Sequence, residues 1–228
     1  MNNNSEYSLT VKELGVTAKE VTNYISKDDT PEKEFFTQQV AAELEEMKDE
    51  KVLYGYSIYS ASVKDFNLIV NETQFNIGHD VSLMLRSAEK VVLFASTLSE
   101  SLDSIITKYK SNNQYLEAYL MDIIGTVIIG KTAEKVLEEI KGNKAFEGYK
   151  ITNTISPGNC GWPVEEQKKL FSLLPDTFLN ITLNESGMMH PVKSLTGVIG
   201  IGERVIYKQT ECRYCKSRNC PYRKEEYV

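Results

Sequence analysis

The chain is poor in the features that mark several common functional classes. It has no basic excess: its 228 residues carry a formal net charge of −6. Nucleic-acid binders neutralise phosphates with a basic face, so binding of that kind is excluded. No stretch reaches the roughly 18 uninterrupted apolar residues of a membrane-spanning helix. The start, Met1-Asn2-Asn3-Asn4-Ser5-Glu6, has neither the positive charge nor the apolar run of a secretory signal, and a cytoplasmic protein is expected. No internal repeat is found. Cysteine is scarce, four in all, and three of these lie together at Cys212, Cys215 and Cys220. In a reducing cytosol such clustering favours metal binding or redox chemistry over structural disulfides.

The hydrophobic fraction of 41% is enough for a substantial core, and the length suits one large domain with an appended N-terminal segment. The pattern divides into an N-terminal helical segment over 1–50, a core over 51–208 and a cysteine-containing tail over 209–228. A small helix is predicted from Val16 to Ile25. Thr30-Pro31-Glu32-Lys33 has the N-cap, the first-turn proline and the acid of a helix start, and that helix runs to about Met47. Alternating apolar residues over 52–70 predict strand. A helix follows over 78–89, a buried strand over Val91–Ala95 and an amphipathic helix over 98–109.

Tyr115 to Ile140 reads as a helix largely inside the fold, with Tyr119, Leu120, Ile123, Ile124, Val127 and Ile128 apolar. Asp122 in its midst is costly unless it is paired, faces a cavity or sits at the helix periphery beside a partner. After a short strand at 150–154 comes a turn-rich loop, Ser156 to Pro163. A helix over 164–174, a strand over 178–183, a loop over 185–191 and a glycine-broken strand over 195–201 complete the core. The irregular mixture of elements points to α+β rather than a doubly wound sheet.

Three blocks carry a family likeness. Ile155-Ser-Pro-Gly-Asn-Cys-Gly-Trp-Pro163 with Glu165-Glu166-Gln167, then Leu183-Asn-Glu185-Ser186 through Met189, Pro191, Ser194 and Gly197, and upstream Asp122-x-x-Gly125-Thr126, stand in order. Together they resemble the activation (reactivation) domain of cobalamin-dependent methionine synthase over roughly residues 75–205. The resemblance implies a mixed, mainly antiparallel sheet with helices packed against it. It also implies an accessory module in methionine biosynthesis that binds a cobalamin-dependent methyltransferase in trans. Such a module caps the partner-held cobalamin, favours its base-off form and supports reductive reactivation with an electron donor protein. The chain is not obviously catalytic alone; the other reading is an enzyme that uses S-adenosylmethionine as methyl donor to the partner-held cobalt, as part of a methyltransferase activity in trans. Asp122, Ser156, Pro157, Gly158, Asn159, Glu185, His190 and Ser194 are the positions implied to face the partner's cobalamin or S-adenosylmethionine.

The chain also departs from the family. Where the family carries an arginine two residues before the serine of Ser-Pro-Gly, this sequence has Thr154. The usual tyrosine after the glycine is Asn159, and the usual glutamate four residues after the aspartate is Thr126. A threonine hydroxyl cannot replace a guanidinium fork on a carboxylate, so weak or absent binding of free S-adenosylmethionine is expected. His190 stands where the family has an apolar or aromatic residue; it is read either as a corrin contact or proton donor, or as a packing or surface residue. Trp162 is read as a surface for a flat macrocycle or as a half-buried loop anchor. Met188 and Met189 are expected in the core.

Cys212-x-x-Cys215-x-x-x-x-Cys220 places three thiols close enough to share a zinc ion or an iron–sulfur cluster, with Cys160 as a candidate fourth ligand. Reduced thiols without metal are the other reading. A metal- or cluster-containing electron-transfer or corrinoid-binding protein built on this tail is the alternative function.

Overall fold

A computed structural model describes residues 5–26 and 30–206. Its centre is a seven-stranded sheet in the order β4-β3-β2-β5-β9-β6, with β1 also paired to β2. Every pairing among the described strands is antiparallel. The strands are β1 (Ser5–Thr10), β2 (Lys51–Lys64), β3 (Asn67–Val70), β4 (Thr73–Asn76), β5 (Lys90–Leu98), β6 (Lys150–Ile155) and β9 (Ser194–Gly202). A separate two-stranded ribbon joins β7 (Thr182–Leu183) to β8 (Met189–His190).

The long strand β2 is shared by two partners on one edge. β1 pairs with Lys51 to Tyr56, and β3 pairs with Ala61 to Lys64. Alternation along β2 sends Tyr54 and Tyr56 to one face and Tyr59 to the other. β5 is apolar on both faces because both are covered. Val91, Leu93 and Ala95 face one cluster, with Phe75, Trp162 and Phe178, whereas Val92 and Phe94 face another, with Val136 and Ile140.

The helices are α1 (Val11–Leu14), α2 (Ala18–Ile25), α3 (Pro31–Glu46), α4 (Gly78–Leu85), α5 (Ser101–Ser111), α6 (Tyr115–Gly142) and α7 (Gln167–Phe171). Thr30 caps α3 and Pro31 opens it, as its sequence signals. α6 runs along one face of the sheet, and α1, α2, α3 and α5 pack beside it. Lys131 ties α6 to the N-terminal helices, reaching the Gly15 carbonyl and the Glu20 carboxylate, each at 2.7 Å. Glu20 also closes the capping box of α2 with Thr17.

Several local expectations change. β1 is a strand within the segment expected to be helical; it is held by its ladder to β2 and by Tyr7 stacked on Tyr54 at 5.1 Å. The strand expected over Phe178–Leu183 shrinks to Thr182–Leu183, because Thr177, Leu179 and Asn180 all take positive φ and turn the chain. The helix expected over 164–174 is a short 3-10 turn, Val164–Glu166, followed by α7. The helix expected over 78–89 ends at Leu85. On α6, Tyr119 is 54% exposed instead of buried.

Candidate functional site

The Ser156-to-Pro163 loop leaves the end of β6 and folds on itself. Asn159 N–H donates to the Ser156 carbonyl (3.1 Å), Gly158 N–H to the Trp162 carbonyl (2.8 Å) and Trp162 N–H to the Asn159 carbonyl (2.9 Å). Trp162 anchors the loop: it is 1% exposed and meets Phe75 edge-on at 6.3 Å. It is therefore a core residue with no face free for a macrocycle. The loop passes so close to α4 that a Cβ on Gly78 would lie 2.8 Å from the Gly161 carbonyl.

A second loop faces it. Asn184 Oδ1 accepts from Ser186 N–H (3.0 Å), Ser186 hydroxyl (2.8 Å) and Met188 N–H (2.9 Å), which closes the β7–β8 turn. Lys168 of α7 donates to the Glu185 carbonyl. The buried Gln167 amide donates to the Thr196 hydroxyl and lies 3.8 Å from Met189 Sδ. Pro157, Val164, Gln167, Leu183, Asn184, Met188, Met189, His190 and Val192 thus surround a mainly apolar groove of about 610 Å³. Met188 and Val192 on its walls are 65% and 63% exposed. Met188 is a surface residue, not the core residue its sequence suggests; Met189 is partly buried against the core.

The outer wall continues from His190 to Ser194 and is tied to neighbouring elements. His190 Nε2 is 3.3 Å from Glu100 Oε1, and Val192 N–H donates to Asp103 Oδ2 at 3.0 Å. Ser194 Oγ lies 2.7 Å from both Thr97 Oγ1 and the Pro191 carbonyl. Lys193 Nζ reaches Asp122 Oδ1 at 2.8 Å and Thr126 Oγ1 at 3.0 Å.

The structure brings Pro157 and His190 onto one groove, with Ser156, Gly158 and Asn159 in the same turn as Pro157. Glu185 is exposed at the tip of the β7–β8 turn, and Ser194 is bonded inward to β5. Asp122 sits apart, on the outer surface of α6; its side chain is 55% exposed and paired with Lys193. The costly buried carboxylate is thus absent: Asp122 is peripheral, and its partner comes from a distant segment. Cys160 lies in the first loop, partly buried against the core. Cys212, Cys215 and Cys220 lie outside the described residues. Among the described residues no group of three or more His, Cys, Asp or Glu side chains is arranged to hold a metal, and no helix is long and apolar enough to cross a membrane.

Val164, Val192 and Lys193 escape sequence reasoning, and Gln167 enters it only within the first block of likeness, with no role. Val192 beside Met188 in a polar loop is a weak signal of an exposed apolar wall. Lys193 gives none, since its role depends on a helix 71 positions earlier in the chain.

No protein-family profile matches the chain, and no curated protein does. Among solved structures, the chain is similar to the crystal structure of the MetH reactivation domain bound to AdoHcy, with a TM-score of 0.72 and 12% sequence identity. The match covers 90% of this chain and 80% of that one. The chain has the fold of that domain, α+β with a mainly antiparallel sheet.

Proposed function

We propose that this chain is an accessory activation module that binds a cobalamin-dependent methyltransferase, in the first instance methionine synthase, and supports reductive reactivation of its cobalamin. The observation that carries this reading is the fold shared with the MetH reactivation domain across nine-tenths of the chain. The Ser-Pro-Gly loop and the β7–β8 turn, which carry two of the three blocks of sequence likeness, enclose one groove, and this adds support.

The cobalamin belongs to the partner. The chain's own contribution is a surface whose affinity differs between two partner conformations, since only differential binding shifts such an equilibrium. The exposed Met188 and Val192 supply apolar area for that contact, and the loop tethers hold it in place without the partner. Methionine is suited to a surface that must fit an irregular partner. The electron for cobalt comes from a separate donor.

The groove's volume lies in the range of small-molecule sites. The neighbour binds AdoHcy. Here the position two residues before Ser156 is the neutral Thr154, and Lys193 is already paired with Asp122. Free S-adenosylmethionine therefore binds this chain weakly.

The test is to mix the protein with a cobalamin-loaded methyltransferase domain and record the cobalt absorption spectrum. A shift toward the base-off spectrum is expected. An unchanged spectrum at saturating concentration of the genomic partner would refute the proposal.

A further inference from the structure

Asp122, Gly125 and Thr126 are spaced i, i+3 and i+4, so they share one face of α6. Gly125 leaves that face bare. A Cβ built there would lie 3.0 and 3.3 Å from Lys193 Cγ and Cδ and 2.5 Å from Leu102 Cδ2. The methylene stem of Lys193 therefore lies across the glycine, and its ammonium continues to Asp122 and Thr126. The Thr126 hydroxyl donates to the Asp122 carbonyl at 2.9 Å, which leaves its oxygen lone pairs to accept from the lysine. The Lys193 side chain is 13% exposed, unusually covered for a surface lysine.

The main chain of this segment is held independently. Leu98 N–H donates to the Lys193 carbonyl at 2.9 Å, and Asp103 accepts from Val192 N–H. Lys193 directly follows Val192 of the groove wall and is the residue of that segment that reaches α6.

We propose that Asp122, Gly125 and Thr126 form a socket for Lys193, and that Asp122 serves the groove through this socket as a positioning residue, not as a ligand contact. This rests on the groove being the binding surface proposed above. An external cation seeking Asp122 competes with a lysine tethered at high effective concentration. The socket adds a side-chain anchor to those backbone ties and links the end of the outer wall, Met189 to Val192, to the long helix.

Two variants separate the roles. Lys193→Met keeps the apolar stem over Gly125 and removes the ammonium. Asp122→Asn keeps the shape and removes the carboxylate charge. If Asp122 works through the socket, each variant weakens the complex with a cobalamin-loaded methyltransferase domain by up to about fivefold, the full worth of an exposed pair. The double variant then loses no more than either single one. If Asp122 is a direct contact, Lys193→Met frees it and binding is kept or improved, while Asp122→Asn alone weakens it; that result overturns the proposal. A second measurement needs no partner. In methyl-labelled protein, both variants should shift the Met188 and Met189 methyl resonances in the same direction, and by more than that of Met47, which is buried in the cluster beneath α6. Unmoved Met188 and Met189 signals overturn the socket's control of the wall. Failure of the unmutated protein to bind any methyltransferase would sink the functional reading and leave this second measurement decisive.

Discussion

Gly125 and Gly130 lie on the same helix, and replacing each with alanine should change stability in opposite directions. Alanine is favoured over glycine in a helix interior by about 0.8–1 kcal/mol. At Gly130 nothing lies within 4 Å of the new Cβ, so Gly130→Ala should stabilise by nearly that amount. At Gly125 the new Cβ would lie 2.5 Å from Leu102 Cδ2, and Leu102 is fully buried with little room to move. Overpacking of this kind costs about 1–3 kcal/mol. Displacing Lys193 from Asp122 adds a further part of about 1 kcal/mol, the usual worth of an exposed pair. Gly125→Ala should therefore destabilise by roughly 0–3 kcal/mol net. Urea unfolding of the two variants beside the unmutated protein measures this directly, with unchanged slopes showing that both transitions stay comparable. In thermal melts the two should differ by several degrees, at about 2–4 °C per kcal/mol for a chain of this size. If Gly125→Ala proves as stabilising as Gly130→Ala, the close packing of Leu102 and Lys193 over the glycine is wrong.

Two further outcomes are expected. Burial acts to raise the Glu20 carboxyl, but its bonds to Lys131 and Thr17 outweigh that and hold it below 4.5. The stability it contributes is thus present above about pH 4.5 and lost as pH falls through its lowered folded value. Glu20→Gln keeps the capping box, so its deficit of under about 1 kcal/mol at neutral pH should shrink steadily as pH is lowered below about 4.5; a deficit that does not change across the acid range would show that charge is not its source. Calorimetry with S-adenosylmethionine should find binding at least one decade weaker than micromolar, consistent with a missing charge-assisted contact of about 1.5–3 kcal/mol. Near-micromolar affinity would mean that other residues replace the arginine absent at Thr154.

Part of the candidate groove was legible in the chain. The Ser156-Pro157-Gly158 block and the Glu185-to-Gly197 block are recognisable by order and spacing, and the structure folds Pro157 against Asn184, Met189 and His190. What each residue does was less legible. Trp162 is hidden from solvent because Phe75 meets its edge and it shares a cluster with Leu93, Ala95 and Phe178, most of them far away in sequence. The apolar neighbours of Asp122 in sequence leave it open between a buried and a peripheral carboxylate. Yet Met121 and Ile124 point inward, while Asp122 and Tyr119 point out. The apolar stripe of α6 is wide, and only a narrow polar face with Asp122 and Thr126 interrupts it over 118–129.

By itself the sequence determined what depends on neighbours along the chain. Thr30 and Pro31 start a helix because capping and a fixed φ act within one turn. Val91 to Ala95 make a strand buried on both faces because five successive apolar side chains leave neither face for water. The α+β class and the likeness in three ordered blocks follow from the same short-range information. Tertiary structure alone decided the rest. β1 is a strand because β2 offers it an unpaired edge. Phe178 is buried where backbone turns replace an extended strand. Asp122 is neutralised by a lysine that the antiparallel pairing of β5 with β9 brings beside α6. Pairing of that kind is a property of distance in space, and no periodicity along the chain encodes it.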